Sequence, residues 1–275
     1  MRHSRHNHPV SIAQDEFDES RLIFGRFQAV SWTASTGSTN VDLTAMAKLD
    51  PAVARVLIAD EQTAGRGRRD RRWDAPPGGG LLISFYVPWV QRETVHLVAT
   101  CLGVAAVDAA RSVRRTVGLK WPNDVIAPNG AKVGGMLGNT VVDGVDLQGA
   151  VIGLGCNVHW PPPGEPGFDH ATSLDRLGTN GLPLVSRTEM ANALIRGFEQ
   201  RLCTVEAGGS SALHDAYRTR CYTLGAEVRV QHDGGDFTEG TAVDIDASGA
   251  LVIDVGGVQR RVDVGDVIHL RPKGD

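Results

Sequence analysis

The sequence predicts an α+β fold, in which a mixed β-sheet is packed with helices and followed by a small barrel-like β-domain. Apolar runs of strand length alternate with longer apolar segments of helical length. Asn129-Gly130 and Asp143-Gly144 each lie between β-type residues, which is typical of hairpin turns. Beyond Cys221 only short β-type runs remain, separated by glycine-containing turns, and this pattern is typical of a small barrel.

These patterns divide the 275 residues into three parts. Residues 1–28 are polar and weakly periodic, so we expect a mobile N-terminal segment. Residues 29–221 form the helix-and-sheet domain, and residues 222–275 form the β-domain. A chain of this length has room for one large domain and one small one.

Each element of the larger domain follows from a local pattern. Apolar runs bounded by turn residues predict strands, and longer apolar or amphipathic segments predict helices. The predicted strands are Arg55–Asp60, Leu81–Val87, Val117–Lys120, Val125–Pro128, Ala131–Val142 and Leu147–Asn157. The predicted helices are Val41–Leu49, with Ser38 or Thr39 as its N-cap, Thr94–Val113, Thr188–Val205 and Ser211–Tyr222.

Composition excludes several classes of protein. Hydrophobic residues make up 41% of the chain and charged residues 22%, and the net charge of −4 provides no general basic field for nucleic acid. No apolar run is long enough to span a membrane, and no signal-peptide core follows the N-terminal charges. The four cysteines show no metal-binding or disulfide spacing. We therefore expect a cytoplasmic protein that binds neither DNA nor membrane.

The basic residues are unevenly placed along the chain. Only four of the 28 are lysine, and five arginines, which we call the arginine island, lie within seven positions: Arg66, Arg68, Arg69, Arg71 and Arg72. Guanidinium groups bind phosphate or carboxylate in a bidentate way, and Gly65 and Gly67 allow backbone N–H groups to approach an anion. The segment is therefore a candidate anion-binding loop, although a solvated loop, or one that touches RNA non-specifically, has the same composition.

Two further motifs carry chemistry at strand ends. Asn123 and Asp124 follow a strand, where they either bind a ribose hydroxyl or Mg²⁺ or form only an Asx turn. Lys132 begins a strand that contains Gly134 and Gly135, and its hairpin partner contains Gly153 and Gly155. Glycine inside a strand marks either close approach of a ligand or a bulge. The two strands can therefore form one bare floor with Lys132 at its rim.

The candidate site offers cations, amides and glycine surface but no protein nucleophile. No Ser-His-Asp, Cys-His or helical HExxH arrangement is apparent, and we interpret Cys156 as a small buried hydrophobic residue. Such a site suits attack of a bound carboxylate on the α-phosphate of a nucleotide. Arginine, lysine and Mg²⁺ neutralise the two approaching anions, and the rest of catalysis is positioning.

In order and spacing, these motifs resemble those of the biotin protein ligases. The resemblance rests on Ser38-Thr39-Asn40, QTAGRGRR, KWPNDV, KVGGML and GLGCNV, and it covers about residues 30–272. It implies a class II synthetase-like catalytic domain of the biotin/lipoate ligase type and an SH3-like C-terminal barrel. It also implies a two-step reaction. Biotin and MgATP form biotinyl-5′-AMP, which then biotinylates a lysine on the biotin carboxyl carrier domain of an acyl-CoA carboxylase.

The resemblance assigns roles to residues of this chain. Lys132, Arg66 and Arg68 would be catalytic, and Asp124 would contact Mg²⁺ through the nucleotide. Biotin would bind to Ser38, Thr39, Asn40, Gln62, Gly65, Arg66, Lys132, Gly134, Gly135 and Gly155. The nucleotide would bind to Arg68, Arg69, Trp73, Asn123, Asp124, Lys132 and Asn157. Trp73 would close over the adenylate, and we expect the arginine loop to be mobile without ligand because closure protects the mixed anhydride from water.

The chain departs from the family at a few positions and leaves other functions to consider. Gly138-Asn139-Thr140 stand where relatives often have an acidic residue, and Cys156 replaces a commonly aliphatic one. Residues 1–28 are too few for the winged helix of bifunctional relatives, so we expect a monofunctional ligase that is a monomer or a weak homodimer. The alternatives are a lipoate–protein ligase, whose members lack the GRGRR and KWPND pairing, a nucleic-acid-binding regulator without catalysis, and a module that holds biotin without chemistry.

Overall fold

The computed structural model of the chain describes residues 16–69, 71–178, 182–231, 236–263 and 266–269. In these residues the larger domain is built on one mixed sheet, whose strands are β1 (Ala29–Thr36), β2 (Arg55–Gln62), β3 (Gly80–Val87), β4 (Gly118–Lys120), β5 (Asp124–Ile126), β6 (Lys132–Asp143) and β7 (Asp146–Asn157). The strand order is β1-β2-β3-β7-β6-β5-β4. The β1/β2 pair is parallel and the other neighbouring pairs are antiparallel. The strands confirm both predicted hairpins, since β5 and β6 flank Gly130 and β6 and β7 flank Gly144.

The α-helices in the described residues are α1 (Thr39–Leu49), α2 (Leu97–Ser112), α3 (Arg187–Glu206) and α4 (Ser210–Arg218). The last of these ends at Arg218, four residues before the predicted end. No helix in the described ranges is long and apolar enough to cross a membrane. Ser38 precedes α1, but its side chain makes no capping hydrogen bond, and the N–H of Thr39 instead donates to Gln62 Oε1 at 2.8 Å.

Helices cover both faces of the sheet because side chains alternate along its strands. Ile58 and Phe85 face α2 and α3, and the Phe85 ring lies 4.7 Å from that of Phe198. Leu57 and Tyr86, one position along each strand, face α1. This two-sided burial explains why β2 and β3 appear in the sequence as continuous apolar runs.

Residues 16–28 do not form the mobile segment expected from their polarity. Phe27 is completely buried, with its ring stacked on Phe198 at 6.1 Å, and Leu22 also belongs to the core. The N–H of Arg26 donates to Glu199 on α3. Burial of these apolar side chains explains the ordered path. Residues 1–15 lie outside the described residues.

The C-terminal domain is a second, antiparallel sheet. Its strands are β8 (Glu227–Gln231), β9 (Phe237–Ile245), β10 (Leu251–Val255), β11 (Val258–Val262) and β12 (Asp266–His269). Their order is β11-β10-β9-β8-β12. This order is consistent with an SH3-like domain, although no β11–β12 pairing closes a barrel in the part of the chain that the structure describes.

Candidate active site

A cavity of about 640 Å³ lies between the sheet, the arginine island and the C-terminal domain. It is lined by the start of α1, the end of β2, the β4–β5 turn and the facing parts of β6 and β7. Most of the predicted site residues line it: Ser38, Thr39, Asn40, Gln62, Arg66, Arg68, Arg69, Trp73, Asn123, Asp124, Lys132, Gly135 and Gly155. The structure therefore brings together motifs that lie far apart in the sequence, from Ser38 to Gly155.

Hydroxyl and amide groups form one end of the cavity. Gln62 Oε1 accepts from the backbone N–H of Thr39 at 2.8 Å and lies 3.0 Å from Thr39 Oγ1. Ser84 Oγ lies 2.7 Å from Thr39 Oγ1 and 2.6 Å from Asn40 Oδ1. The Asn40 Nδ2 group donates to the Leu137 carbonyl at 2.8 Å. This end carries no charged side chain in the network, so it suits a neutral polar ring.

The floor of the cavity is glycine backbone. Gly135 on β6 is the register partner of Gly155 on β7, as the hairpin predicted. A Cβ at Gly155 would lie 2.6 Å from the Trp73 ring, so only glycine lets the indole rest on the strand. The buried Nε1 of Trp73 has no hydrogen-bond partner among the described residues, which leaves a donor for a ligand to satisfy.

The lysine at the rim forms an ion pair. Lys132 Nζ lies 2.6 Å from Asp124 Oδ1 and 5.8 Å from the centroid of the Trp73 ring. The neighbouring Asn123 amide donates to the Met136 carbonyl at 2.7 Å and accepts from Arg68 at 3.3 Å. An anion that binds Lys132 must therefore compete with a carboxylate already in place.

The arginine island folds back on itself over the cavity, and all five of its arginines line the cavity. The N–H of Gly67 donates to the Arg71 carbonyl at 2.7 Å, and that of Trp73 donates to Gly65 at 3.1 Å. Arg69 adopts the left-handed region at φ 54° in the bend. Asp70 lies outside the described residues. The folded arginine island concentrates guanidinium groups around the cavity, as anion binding requires.

Three predicted site residues do not line the cavity: Gly65, Gly134 and Asn157. A Cβ at Gly65 would overlap the Trp73 carbonyl, and one at Gly134 would lie 2.9 Å from the Gly155 carbonyl, so both glycines allow close backbone approach. Asn157 is 5% exposed and donates to the Thr172 carbonyl at 3.1 Å. This bond places the amide beneath the strand, and the nucleotide contact expected of Asn157 stays a prediction.

Sequence reasoning missed two lining residues on β3, Ile83 and Ser84, and three others, Gln231, Val267 and Ile268. Ser84 gave a weak signal as the small polar residue inside the apolar run LLISFYV. The other three come from the C-terminal domain, and no local pattern indicates which of its residues meet the cavity.

The β4–β5 turn is tied to the C-terminal domain beside the cavity. The backbone N–H of Trp121 donates to Thr223 Oγ1 at 3.0 Å, and Thr223 Oγ1 lies 3.1 Å from Nε2 of His269. Burial, with a smaller effect from Lys120, lowers the pKa of His269 to about 4. A neutral ring can accept the Thr223 hydroxyl proton, so the link is intact at neutral pH.

Cys156 and the acidic residues do not add a nucleophile or a protein-held metal. Complete burial raises the pKa of the Cys156 thiol to about 12, which confirms its interpretation as a buried apolar residue. Among the described residues no group of three or more His, Cys, Asp or Glu side chains could hold a metal ion. The carboxylate of Asp124 is engaged by Lys132.

Comparison with known proteins gives the chain its relatives. The model of the Biotin/lipoate A/B protein ligase family matches residues 30–157, and that of the Biotin protein ligase C terminal domain matches residues 223–270. The chain is 38% identical to the biotin–[acetyl-CoA-carboxylase] ligase of Mycobacterium tuberculosis over 245 residues, which cover 86% of this chain and 88% of that protein. It is 31% identical to the protein of the same name from Paracoccus denitrificans, over 80% of this chain and 92% of that protein. The biotin protein ligase from Aquifex aeolicus in complex with biotin and ATP shares the fold, with a TM-score of 0.74 and 24% identity over 90% of this chain and 100% of that chain.

Proposed function

The chain belongs to the biotin protein ligases, and we propose that the cavity between its two domains is where biotin and ATP react. The enzyme activates biotin as biotinyl-5′-AMP and transfers it to a lysine of a biotin carboxyl carrier protein. The observation that carries the site is the convergence of a neutral polar end, a glycine floor and five arginines on one cavity. The lipoate ligase and non-catalytic alternatives are not favoured.

Each part of the cavity suits one part of the reactants. The ureido ring of biotin lies at the Thr39 and Gln62 end, and its valeryl chain runs along the glycine floor toward Lys132. There a carboxylate oxygen attacks the α-phosphorus of ATP, and the bond from that phosphorus to pyrophosphate breaks. Lys132 and the arginine island stabilise the charge that gathers on the phosphate, and Trp73 covers the adenylate.

The second step needs an exposed acyl carbon rather than a protein nucleophile. The neutral amine of the carrier lysine attacks the acyl carbon of biotinyl-5′-AMP, AMP leaves, and the amine loses a proton. The absence of a reactive thiol at Cys156 agrees with direct transfer.

Magnesium enters this scheme as part of the substrate MgATP. Mg²⁺ is commonly held by one or two carboxylates together with substrate phosphates, and the Asp124 carboxylate lines the cavity beside Lys132. Asp124 would hold the metal ion once an incoming anion replaces it as the partner of Lys132.

The carrier and the cellular setting are also proposals. We propose the carrier domain of an acyl-CoA carboxylase as the acceptor, on the names of the relatives in Mycobacterium tuberculosis and Paracoccus denitrificans. We propose a cytoplasmic enzyme, monomeric or weakly dimeric, that binds no DNA. The net charge of −4 and the concentration of arginine at the cavity support the last of these.

The first step can be tested without a carrier. We expect the protein to exchange labelled pyrophosphate into ATP when biotin is present and not when lipoate replaces it. Exchange that depends on lipoate and ignores biotin would instead establish the lipoate ligase. Exchange with neither acid would overturn the assignment of the cavity.

A further inference from the structure

Ser84 is a fully buried hydroxyl at the polar end of the cavity, and no role follows for it from the motifs. It lies in the middle of β3, has no exposed surface, and lines the cavity. Its Oγ contacts two groups of the α1 start, Asn40 Oδ1 at 2.6 Å and Thr39 Oγ1 at 2.7 Å. Burying a hydroxyl without hydrogen bonds costs free energy, so both contacts must be considered.

The orientation of the Asn40 amide is fixed by its other partner. Its Nδ2 group lies 2.8 Å from the Leu137 carbonyl, which can only accept a hydrogen bond. The donor end of the amide therefore points to β6, and the acceptor end, Oδ1, points to Ser84.

Counting protons then fixes the direction of the remaining bonds. The two short contacts of Ser84 need one proton each, and Oδ1 of Asn40 has none to offer. Both contacts are satisfied only if Ser84 donates to Asn40 and Thr39 donates to Ser84. The backbone N–H of Thr39 already donates to Gln62 Oε1 at 2.8 Å. The Thr39 hydroxyl proton is thus unavailable for the 3.0 Å contact between Thr39 Oγ1 and Gln62 Oε1.

The network has little room to rearrange. Gly153 on β7 lies directly against it, since a Cβ there would overlap Asn40 Oδ1 and lie 2.9 Å from Ser84 Oγ. Thr39 is 3% exposed, and Ser84 has no accessible surface. Close packing against β7 favours the arrangement of hydroxyl protons that satisfies both short contacts of Ser84.

From this geometry we infer that Ser84 is a positioning residue that sets the ligand specificity of the cavity. By taking the hydroxyl proton of Thr39, it leaves two acceptor oxygens, Thr39 Oγ1 and Gln62 Oε1, side by side at the polar end. A ligand that fits them must present an N–H donor, as the cyclic urea of biotin does, whereas a ring oxygen at that position meets only acceptors. This inference rests on the proposed function, because it places the ureido ring at that end.

The test compares biotin with its cyclic carbamate analogue, in which one ureido N–H is replaced by a ring oxygen, by calorimetric titration. Wild-type protein should bind biotin and discriminate strongly against the analogue. In Ser84→Ala, Thr39 regains a free proton, so biotin should bind about tenfold more weakly, the size expected for one hydrogen bond. The analogue should lose less or gain, so that the discrimination shrinks.

The matched control is Ser173→Ala, since Ser173 is equally buried and its hydroxyl has no hydrogen-bond partner among the described residues. This variant should bind both ligands like the wild type. Ser84→Cys places a slightly larger thiol, which is a weak donor, at the same position, and should fall between wild type and Ser84→Ala even if the alanine variant folds poorly. Equal losses for the two ligands in the Ser84 variants, or no loss relative to Ser173→Ala, would overturn the inference alone. Failure of the wild type to bind biotin would overturn the proposed function as well.

Discussion

At the residue scale, the ion pair between Lys132 and Asp124 explains how the lysine charge is tolerated beside the arginines when no ligand is bound. The Asp124 carboxylate offsets that charge. The pair is 2.6 Å long, and the Lys132 side chain is 36% exposed. Such an exposed pair contributes little to stability, so an incoming carboxylate or phosphate can displace the aspartate at low cost. The lysine is then positioned by the same strand that supplies the glycine floor.

We expect Lys132→Ala to lower biotin-dependent pyrophosphate exchange by about a hundredfold or more, since it removes a charge that stabilises the transition state. The midpoint of thermal unfolding should change little because the side chain is partly exposed. Lys48→Ala, at an exposed position of α1 outside the cavity, serves as the control and should behave as the wild type. Near-normal exchange in Lys132→Ala would refute the role given to this residue.

The sequence indicated the charged site residues better than the neutral ones. Lys132, Arg66 and Arg68 could be predicted because cations in glycine-rich segments need a ligand to explain them. Ser84 could not, because the role of a small polar side chain depends on which groups the fold brings beside it. The Asn157 amide donates a hydrogen bond to the Thr172 carbonyl, a contact that no spacing in the sequence reveals.

At the scale of elements, the β6–β7 hairpin presents a flat backbone surface to the cavity because Gly135 and Gly155 have no side chains. We expect Gly155→Ala to raise the KM for ATP by about tenfold, because a Cβ 2.6 Å from the Trp73 ring must displace the indole. Gly37→Ala adds a methyl group near the same cavity, where nothing lies within 4 Å, and should leave the KM unchanged. Equal KM values for the two variants would show that the indole does not depend on the bare strand.

The arginine island holds five like charges around one cavity. Without an anion these charges repel one another, so we expect amide hydrogen exchange over residues 65–69 and 71–73 to slow when biotin and ATP are added together. Helix α3 lies outside the cavity and provides the internal reference. Unchanged exchange in the arginine island at saturating ligand would contradict closure of the loop.

Elements with strong local patterns were predicted well, and those stabilised by distant partners were not. The α2 helix and the β6–β7 hairpin match their predicted positions to within a few residues. Strand β1 was missed because its serine- and threonine-rich sequence is half exposed at the sheet edge, where its pairing with β2 defines it. The burial of Phe27 was also missed, because it depends on packing against Phe198, which is distant in the sequence.

At the scale of the whole molecule, the C-terminal domain completes the cavity and is held beside it by the Trp121–Thr223–His269 link. The pKa of His269 is about 4 in the folded protein, against an ordinary value of 6.5. Between these values the unfolded chain binds a proton that the folded chain does not, so stability falls as the pH decreases from about 6.5 toward 4. Burial also lowers the pKa of His214, which adds a contribution of the same sign.

We therefore expect the midpoint of thermal unfolding to fall between pH 7 and pH 5, and to fall less in His269→Gln, which keeps a hydrogen-bond acceptor but does not titrate. His170→Gln, at an exposed position, should retain the full decrease. An identical decrease in all three proteins would show that His269 does not link stability to pH.

The positive charge of the chain is concentrated at its candidate site. A net charge of −4 accompanies an island of five arginines, so the positive field is local and suits a small anion rather than a long polyanion. This much was evident from the sequence. Which surface of the C-terminal domain meets the cavity was not, because Gln231 and Ile268 reach it only through the packing of the two domains.

The most direct test of the central claim, that this cavity joins biotin to a carrier protein, is the mass of the carrier. The protein is incubated with biotin, MgATP and a biotin carboxyl carrier domain, and the intact carrier is weighed by mass spectrometry. We predict a gain of one biotinyl group that disappears when the acceptor lysine is replaced by arginine. An unchanged carrier mass under saturating substrates, from a folded protein that binds biotin, would contradict the account.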